Sequence, residues 1–133
     1  MAVNKKTLNE LLAKAKIAAG KAYAPYSGYR VGAALLCSDG SVHTGCNVEN
    51  SSFSLTSCAE RNAVFKAVEA GSREYLALAV YVDSDLLFPP CGACRQVLAE
   101  FSPRLPVLYA NRKQKVFSDL EKLLPEAFTL VSP

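Results

Sequence analysis

Leu76-Ala-Leu-Ala-Val-Tyr-Val82 is a nearly unbroken apolar run, and its reading decides the fold. A run this short and this apolar fits a strand buried on both faces of a sheet. Downstream, Pro89-Pro90 leads into Cys91, Cys94, Val97, Leu98 and Phe101 at helical spacing, with proline suited to a helix start. Val107-Leu-Tyr-Ala110 follows as a second strand. Strand, helix and strand in that order imply a parallel pair joined by a right-handed crossover.

Upstream, Val31 to Cys37 and Val42 to Cys46 flank the turn signal Ser38-Asp-Gly40 and read as a hairpin. Between hairpin and central strand a helix starts near Cys58, runs through Ala63, Val64, Ala67 and Val68, and stops at Gly71. Before the hairpin, Thr7-Leu-Asn-Glu10 reads as a capping box. It opens a helix with Leu8, Leu11, Leu12, Ala15 and Ala19 on one face, reaching about Lys21. At the other end, Asn111 to Lys115 is a polar turn and Val116-Phe117 a last short strand. Ser118-Asp-Leu-Glu121 reads as another capping box before a short helix ended by Pro125. The expected architecture is a three-layer α/β/α sandwich around a mixed sheet of about five strands.

The chain has 133 residues, the size of one domain, so residues 1–133 are read as a single catalytic domain. Half its residues are hydrophobic and a fifth are charged, which excludes intrinsic disorder. Fifteen basic residues against 12 acidic ones give a net charge of +3, too mild for a nucleic-acid or anionic-membrane partner. The short basic turn Arg112-Lys-Gln-Lys115 reads as a solvated loop. No apolar run has the ~20 residues of a membrane span, and Met1 to Lys6 lack the apolar core of a signal peptide. The expected location is cytoplasmic.

Five cysteines cannot all pair internally, and thiols in a reducing compartment more often serve metals or catalysis. Cys37 and Cys46 lie among apolar residues and read as small packing residues. Cys91 and Cys94 share one helix face, and Cys58 begins the preceding helix. If the two helix starts face one another, three sulfurs converge. Zinc takes four protein ligands in structural sites, but three ligands and a water in catalytic ones. The only histidine, His43, belongs to the hairpin and reads as a surface residue, so water is the expected fourth ligand.

Glu60 stands two residues after Cys58. It either complements the positive end of its helix or removes a proton from the metal's water. Three thiolates give the divalent ion a net negative charge, which weakens its action on water. Helix N-termini and a cation must draw charge from the sulfurs. Arg61 is the first candidate cation and Arg95 the second, each with a surface ion pair as its alternative.

Cys58-Ala-Glu60, with Pro90-Cys-Gly-Ala-Cys94 beginning 30 residues beyond, resembles the zinc-dependent nucleobase deaminases. Tyr23-Ala-Pro-Tyr-Ser27, Val31-Gly-Ala-Ala-Leu35, Gly45-Cys-Asn-Val-Glu-Asn50 and Cys58-Ala-Glu-Arg61 narrow the resemblance to the small cytidine deaminases. It spans Tyr23 to Phe128. It implies zinc, one per subunit, on Cys58, Cys91 and Cys94, with Glu60 as proton shuttle and Arg61 bonding the thiolates. It implies sugar contacts from Asn47 and Glu49, chiefly at the 3′ hydroxyl, on a loop that otherwise reads as an Asx-type turn. It implies that Tyr29, where phenylalanine is usual, packs by the pyrimidine, and that Phe53, where tyrosine is common, is a further aromatic contact to substrate. Phe128 would close a neighbouring subunit's pocket in a homotetramer. The implied reaction is hydrolysis of cytidine or deoxycytidine to uridine or deoxyuridine and ammonia, in pyrimidine salvage. A blasticidin S-type deaminase is the sister alternative.

Overall fold

The structure, a computed structural model, describes residues 3–130. In chain order its elements are α1 (Lys5–Ala19), β1 (Val31–Cys37), β2 (Val42–Cys46), a one-turn 3₁₀ helix (Phe53–Leu55) and α2 (Ala59–Glu69). There follow β3 (Tyr75–Val82), α3 (Gly92–Phe101), β4 (Pro106–Ala110), β5 (Lys115–Asp119) and α4 (Leu120–Leu123). The five strands form one sheet in the order β2-β1-β3-β4-β5. Only β3 and β4 are parallel; every other neighbouring pair is antiparallel. The crossover through α3 thus produces the parallel pair expected, and the hairpin extends the sheet on one side.

Side-chain alternation along the buried strands builds the layers. Ala34, Ala77, Ala79, Leu108 and Ala110 pack against Leu8, Leu11, Leu12 and Ala15 of α1. Ala33, Leu35, Leu78, Val80 and Val107 point the other way, onto Ala63, Val64 and Ala67 of α2, Leu98 of α3 and Leu120 of α4. The apolar run that opened the sequence reading is therefore two faces in one strand: alanines beneath α1, larger residues beneath α2 and α3. The result is the three-layer sandwich.

Gly45 sets how closely α2 lies on β2. A Cβ there would stand 2.4 Å from the Ala59 carbonyl oxygen and 2.6 Å from the Ala63 nitrogen, both backbone atoms. No real Cβ approaches that near, so this glycine admits the first turn of α2 to the sheet edge. Gly71 ends the same helix with φ of 93°, the left-handed stop expected.

Three boundaries differ from the sequence reading. The cap of α1 is Asn4, whose Oδ1 accepts from the Thr7 N–H at 2.9 Å. Asparagine caps at least as well as threonine, so the helix starts earlier and Glu10 falls inside it. Asp119, rather than Ser118, caps α4 by accepting from Lys122 N–H at 2.8 Å. Asp119 is the last residue of β5 and stands directly before α4, the cap position, whereas Ser118 lies one residue further back in the strand, in register with Val107 of β4. Finally, α3 begins at Gly92 with Cys91 as its cap, so Pro89 and Pro90 lead up to the helix and do not form its first turn.

Candidate active site

Both cysteine-bearing helices begin at the carboxyl end of the sheet's parallel portion, the usual place for a site in an α/β fold. Cys58 and Cys91 are the N-cap residues of α2 and α3, each with extended backbone. That conformation turns each side chain back over its helix's N-terminus. Cys94 follows in the first turn of α3 and is buried, with its N–H 3.5 Å from Cys91 Sγ. The three sulfurs lie within 4.8 Å of one another. Cys58 and Cys91 are 3.8 Å apart, and Cys91 and Cys94 are 3.3 Å apart.

Tetrahedral zinc with Zn–S bonds near 2.3 Å sets its sulfurs about 3.8 Å apart. One edge already has that length and the other needs to open by about half an ångström. The donor chemistry fits too: three sulfurs, no fourth protein ligand among the described residues, and two helix N-termini aimed at the cluster. Arg61 reaches the same cluster: its Nη2 donates to Cys58 Sγ at 3.2 Å. The thiol of Cys58 is pushed down to about 5, first by the bond from Cys94 and then by Arg61. The same pairing, together with burial, pushes Cys94 up.

Glu60 is only 5% exposed and lines the same cleft as Cys58 and Cys91, together with Asn47, Glu49 and Phe88. Because Cys58 is a half-helical cap, its side chain and that of Glu60 reach one pocket despite their spacing. Burial, with a further contribution from the Cys58 charge, lifts the Glu60 carboxyl to about 7. A carboxyl poised there can both accept and release a proton near neutral pH. The cleft encloses about 240 Å³. A larger apolar groove of about 900 Å³ between β2 and α2 contains none of the three clustered cysteines.

The matching family describes the cytidine and deoxycytidylate deaminase zinc-binding region, over residues 5–110. The chain belongs to this family. A cytidine deaminase from Sporosarcina psychrophila is 50% identical over 124 residues, covering 92% of this chain and 91% of the relative. One from Mycobacterium tuberculosis is 45% identical over 92% of this chain and 90% of its own length. The crystal structure of cytidine deaminase from Burkholderia pseudomallei superposes with a TM-score of 0.85 at 47% identity. That match covers 90% of this chain and 98% of the other.

Within this deaminase fold the remaining expected residues are placed unevenly. Asn47 is buried and clamps the start of β1: Oδ1 accepts from Val31 N–H at 2.9 Å, and Nδ2 donates to the Tyr29 carbonyl at 2.8 Å. Glu49 lines the cleft and accepts three hydrogen bonds from Tyr26 and Ser27. The Tyr29 ring packs edge-on against Phe88, with centroids 5.1 Å apart. Phe53 stands on the 3₁₀ helix against Tyr26 and is 73% exposed, so it borders a side cleft with Glu49 and not the sulfur pocket. Phe128 is 68% exposed and is not among the residues that line the cleft of its own chain; its carbonyl accepts from Gln96 Nε2 at 2.9 Å.

Arg95 does not meet the sulfurs. Its guanidinium donates to the carbonyls of Pro90 and Leu123, each at 2.7 Å, and fastens the C-terminal segment to the start of α3. Cys37 is buried as expected, but Cys46 is only half-buried because β2 is the sheet edge. His43 is half-buried on β2, 3.3 Å from Ser41 Oγ, away from the sulfurs. The basic turn faces acids: Arg112 pairs with Asp83 at 2.9 Å, and Lys113 with Asp85 at 3.5 Å.

Sequence reasoning missed Phe88 and Ser27. Phe88 had a signal, since residues just before a metal-bearing helix start tend to line its pocket. Ser27 stood only within the Tyr23-to-Ser27 motif of the resemblance, with no sign of its partner, because Glu49 is 22 residues away.

Proposed function

We infer that this enzyme hydrolyses cytidine and 2′-deoxycytidine to uridine and 2′-deoxyuridine, releasing ammonia. The observation that carries this reading is Glu60: a buried carboxyl, raised to about 7, in one cleft with the sulfur cluster. Zinc held by Cys58, Cys91 and Cys94 supplies Lewis-acid activation of water at neutral pH. Glu60 takes the proton that the attacking water gives up. It delivers that proton to N3 of the cytosine ring as C4 becomes tetrahedral. It then carries the second water proton to the exocyclic amine, which leaves as ammonia. The same carboxylate is base and then acid, which suits a group poised between both states.

Glu49 and Asn47 hold the sugar, chiefly at its 3′ hydroxyl. Glu49 lines the cleft and keeps free acceptor capacity, and each polar atom of the Asn47 amide has one further bonding position. Tyr29 packs beside the pyrimidine with Phe88 behind it, and Phe53 borders the sugar side of the site. Arg61 steadies the thiolates. The enzyme works as a homotetramer in which Phe128 closes a neighbour's pocket. Support comes from the exposure of Phe128, the modest volume of the cleft in one subunit, and the exposed apolar side chains Val48, Phe53, Leu55 and Phe65. No described helix is long and apolar enough to cross a membrane. Thiols kept reduced for a metal suit the cytoplasm.

One comparison tests the assignment: zinc content and ammonia release from cytidine for wild type and Cys94→Ala. The variant is expected to lose both; full turnover without metal refutes the reading. Light scattering on the purified enzyme checks the tetramer.

A further inference from the structure

Glu49 is held by three donors from one loop. Its Oε1 accepts from the backbone N–H groups of Tyr26 at 2.9 Å and Ser27 at 3.1 Å. Its Oε2 accepts from Ser27 Oγ at 2.5 Å. The same hydroxyl oxygen accepts from the Tyr29 N–H at 3.0 Å. A serine hydroxyl has a single proton. Here that proton is committed to Glu49 and a lone pair to Tyr29, so the rotor is fixed from both sides. Ser27 thereby joins a carboxylate that follows β2 to an aromatic residue that precedes β1.

Ser27 also favours the ionised form of Glu49: its hydroxyl is the largest of the influences that hold this carboxyl below the ordinary range. An ionised carboxylate only accepts. Whatever meets its remaining lone pairs in the cleft must donate, as a sugar hydroxyl does. Truncating Ser27 to alanine spares both backbone bonds to Oε1. Glu49 stays tethered, but Oε2 loses the partner that sets its direction.

We propose that Ser27 is a positioning residue, aiming the Glu49 carboxylate at a hydroxyl of the substrate's sugar and holding Tyr29 beside it. The proposal rests on the sugar contact assigned to Glu49 above. Ser27 itself need not touch substrate. Its loss raises KM and leaves the chemistry at Glu60 unchanged.

The test is steady-state kinetics of zinc-loaded wild type, Ser27→Ala, Ser27→Thr and Glu49→Gln on cytidine and 3′-deoxycytidine. Ser27→Ala is expected to raise KM for cytidine about tenfold, the scale of one bond to a charged group, with kcat within about threefold. KM for 3′-deoxycytidine changes far less, so the preference for the 3′ hydroxyl narrows. Ser27→Thr keeps the hydroxyl and the preference. An equal loss on both nucleosides, or a narrowing as large in Ser27→Thr as in Ser27→Ala, overturns the proposal. Glu49→Gln separates the two levels. If it leaves the preference intact, the sugar contact itself is wrong; if it narrows the preference and Ser27→Ala does not, only the role of Ser27 is. Ser27→Cys, similar in size but a weak donor, is expected to narrow the preference too. It decides the question if the alanine variant melts early.

Discussion

Replacing Glu60 by glutamine exchanges one oxygen for an amide and keeps the side chain's size. Two independent quantities should change. The first is turnover. A positioned acid–base group contributes about 10²–10⁴ in rate, and the proposed reaction gives every proton transfer to this one carboxylate, so kcat should fall by ~10³ or more. Zinc content should stay at one per chain.

The second quantity is the pH dependence of stability. Burial lifts the Glu60 carboxyl from 4.5 to about 7, so the folded chain binds this proton more tightly than the unfolded chain does. The stability this confers is complete below about 4.5 and is lost as pH rises through 7. At about 1.4 kcal/mol for each pH unit, the loss reaches ~3 kcal/mol. The carboxyl is nearly fully buried, so solvent screens little of it. Glutamine cannot ionise and escapes that loss. Urea unfolding of chelator-treated wild type and Glu60→Gln should therefore give curves whose separation, in favour of the variant, grows by up to ~3 kcal/mol between pH 4.5 and 8. A separation equal at both pH values, or turnover within threefold of wild type, refutes the role given to Glu60.

Other perturbations have equally definite outcomes. Arg61→Met removes the donor 3.2 Å from Cys58 Sγ, so the Cys58 thiol should titrate higher and a chelator should strip zinc faster; unchanged release kinetics would count against charge compensation. Gly45→Ala forces a Cβ into the backbone of α2 and should cost ~2 kcal/mol, a fall of several degrees in Tm by calorimetry. An unaltered Tm there would contradict the close approach. Phe128→Ala should raise KM with zinc content unchanged. Mixed tetramers of that variant with Glu60→Gln should regain part of the activity, since one supplies the carboxyl and the other the aromatic ring; no gain over either parent would remove Phe128 from a neighbour's pocket.

The metal site was legible because its signals are local. Cys58 with Glu60, and Cys91 with Cys94, are fixed by helix-start geometry, which depends on residues within a few positions. The strand order was half legible: the β3-α3-β4 unit allows one handed crossover, and the hairpin must pair with itself. Capping was misread twice because it is a competition between neighbours. Asn4 and Asp119 won where Thr7 and Ser118 were expected, the latter because the strand runs one residue further before the helix starts.

By itself the sequence determined the layers and the two halves of the site, Cys58 with Glu60 and Cys91 with Cys94, since these follow from periodicity and from side chains a turn or less apart. Packing brought the halves together. Only the tertiary structure decided which polar groups serve the pocket and which serve the scaffold. Arg95 went to the Pro90 and Leu123 carbonyls, the Asn47 amide to the backbone at the start of β1, and Ser27 to Glu49. Each of those bonds joins positions several residues or more apart, and a side chain's partner across such a distance is set by how the strands and helices pack, which no local pattern encodes.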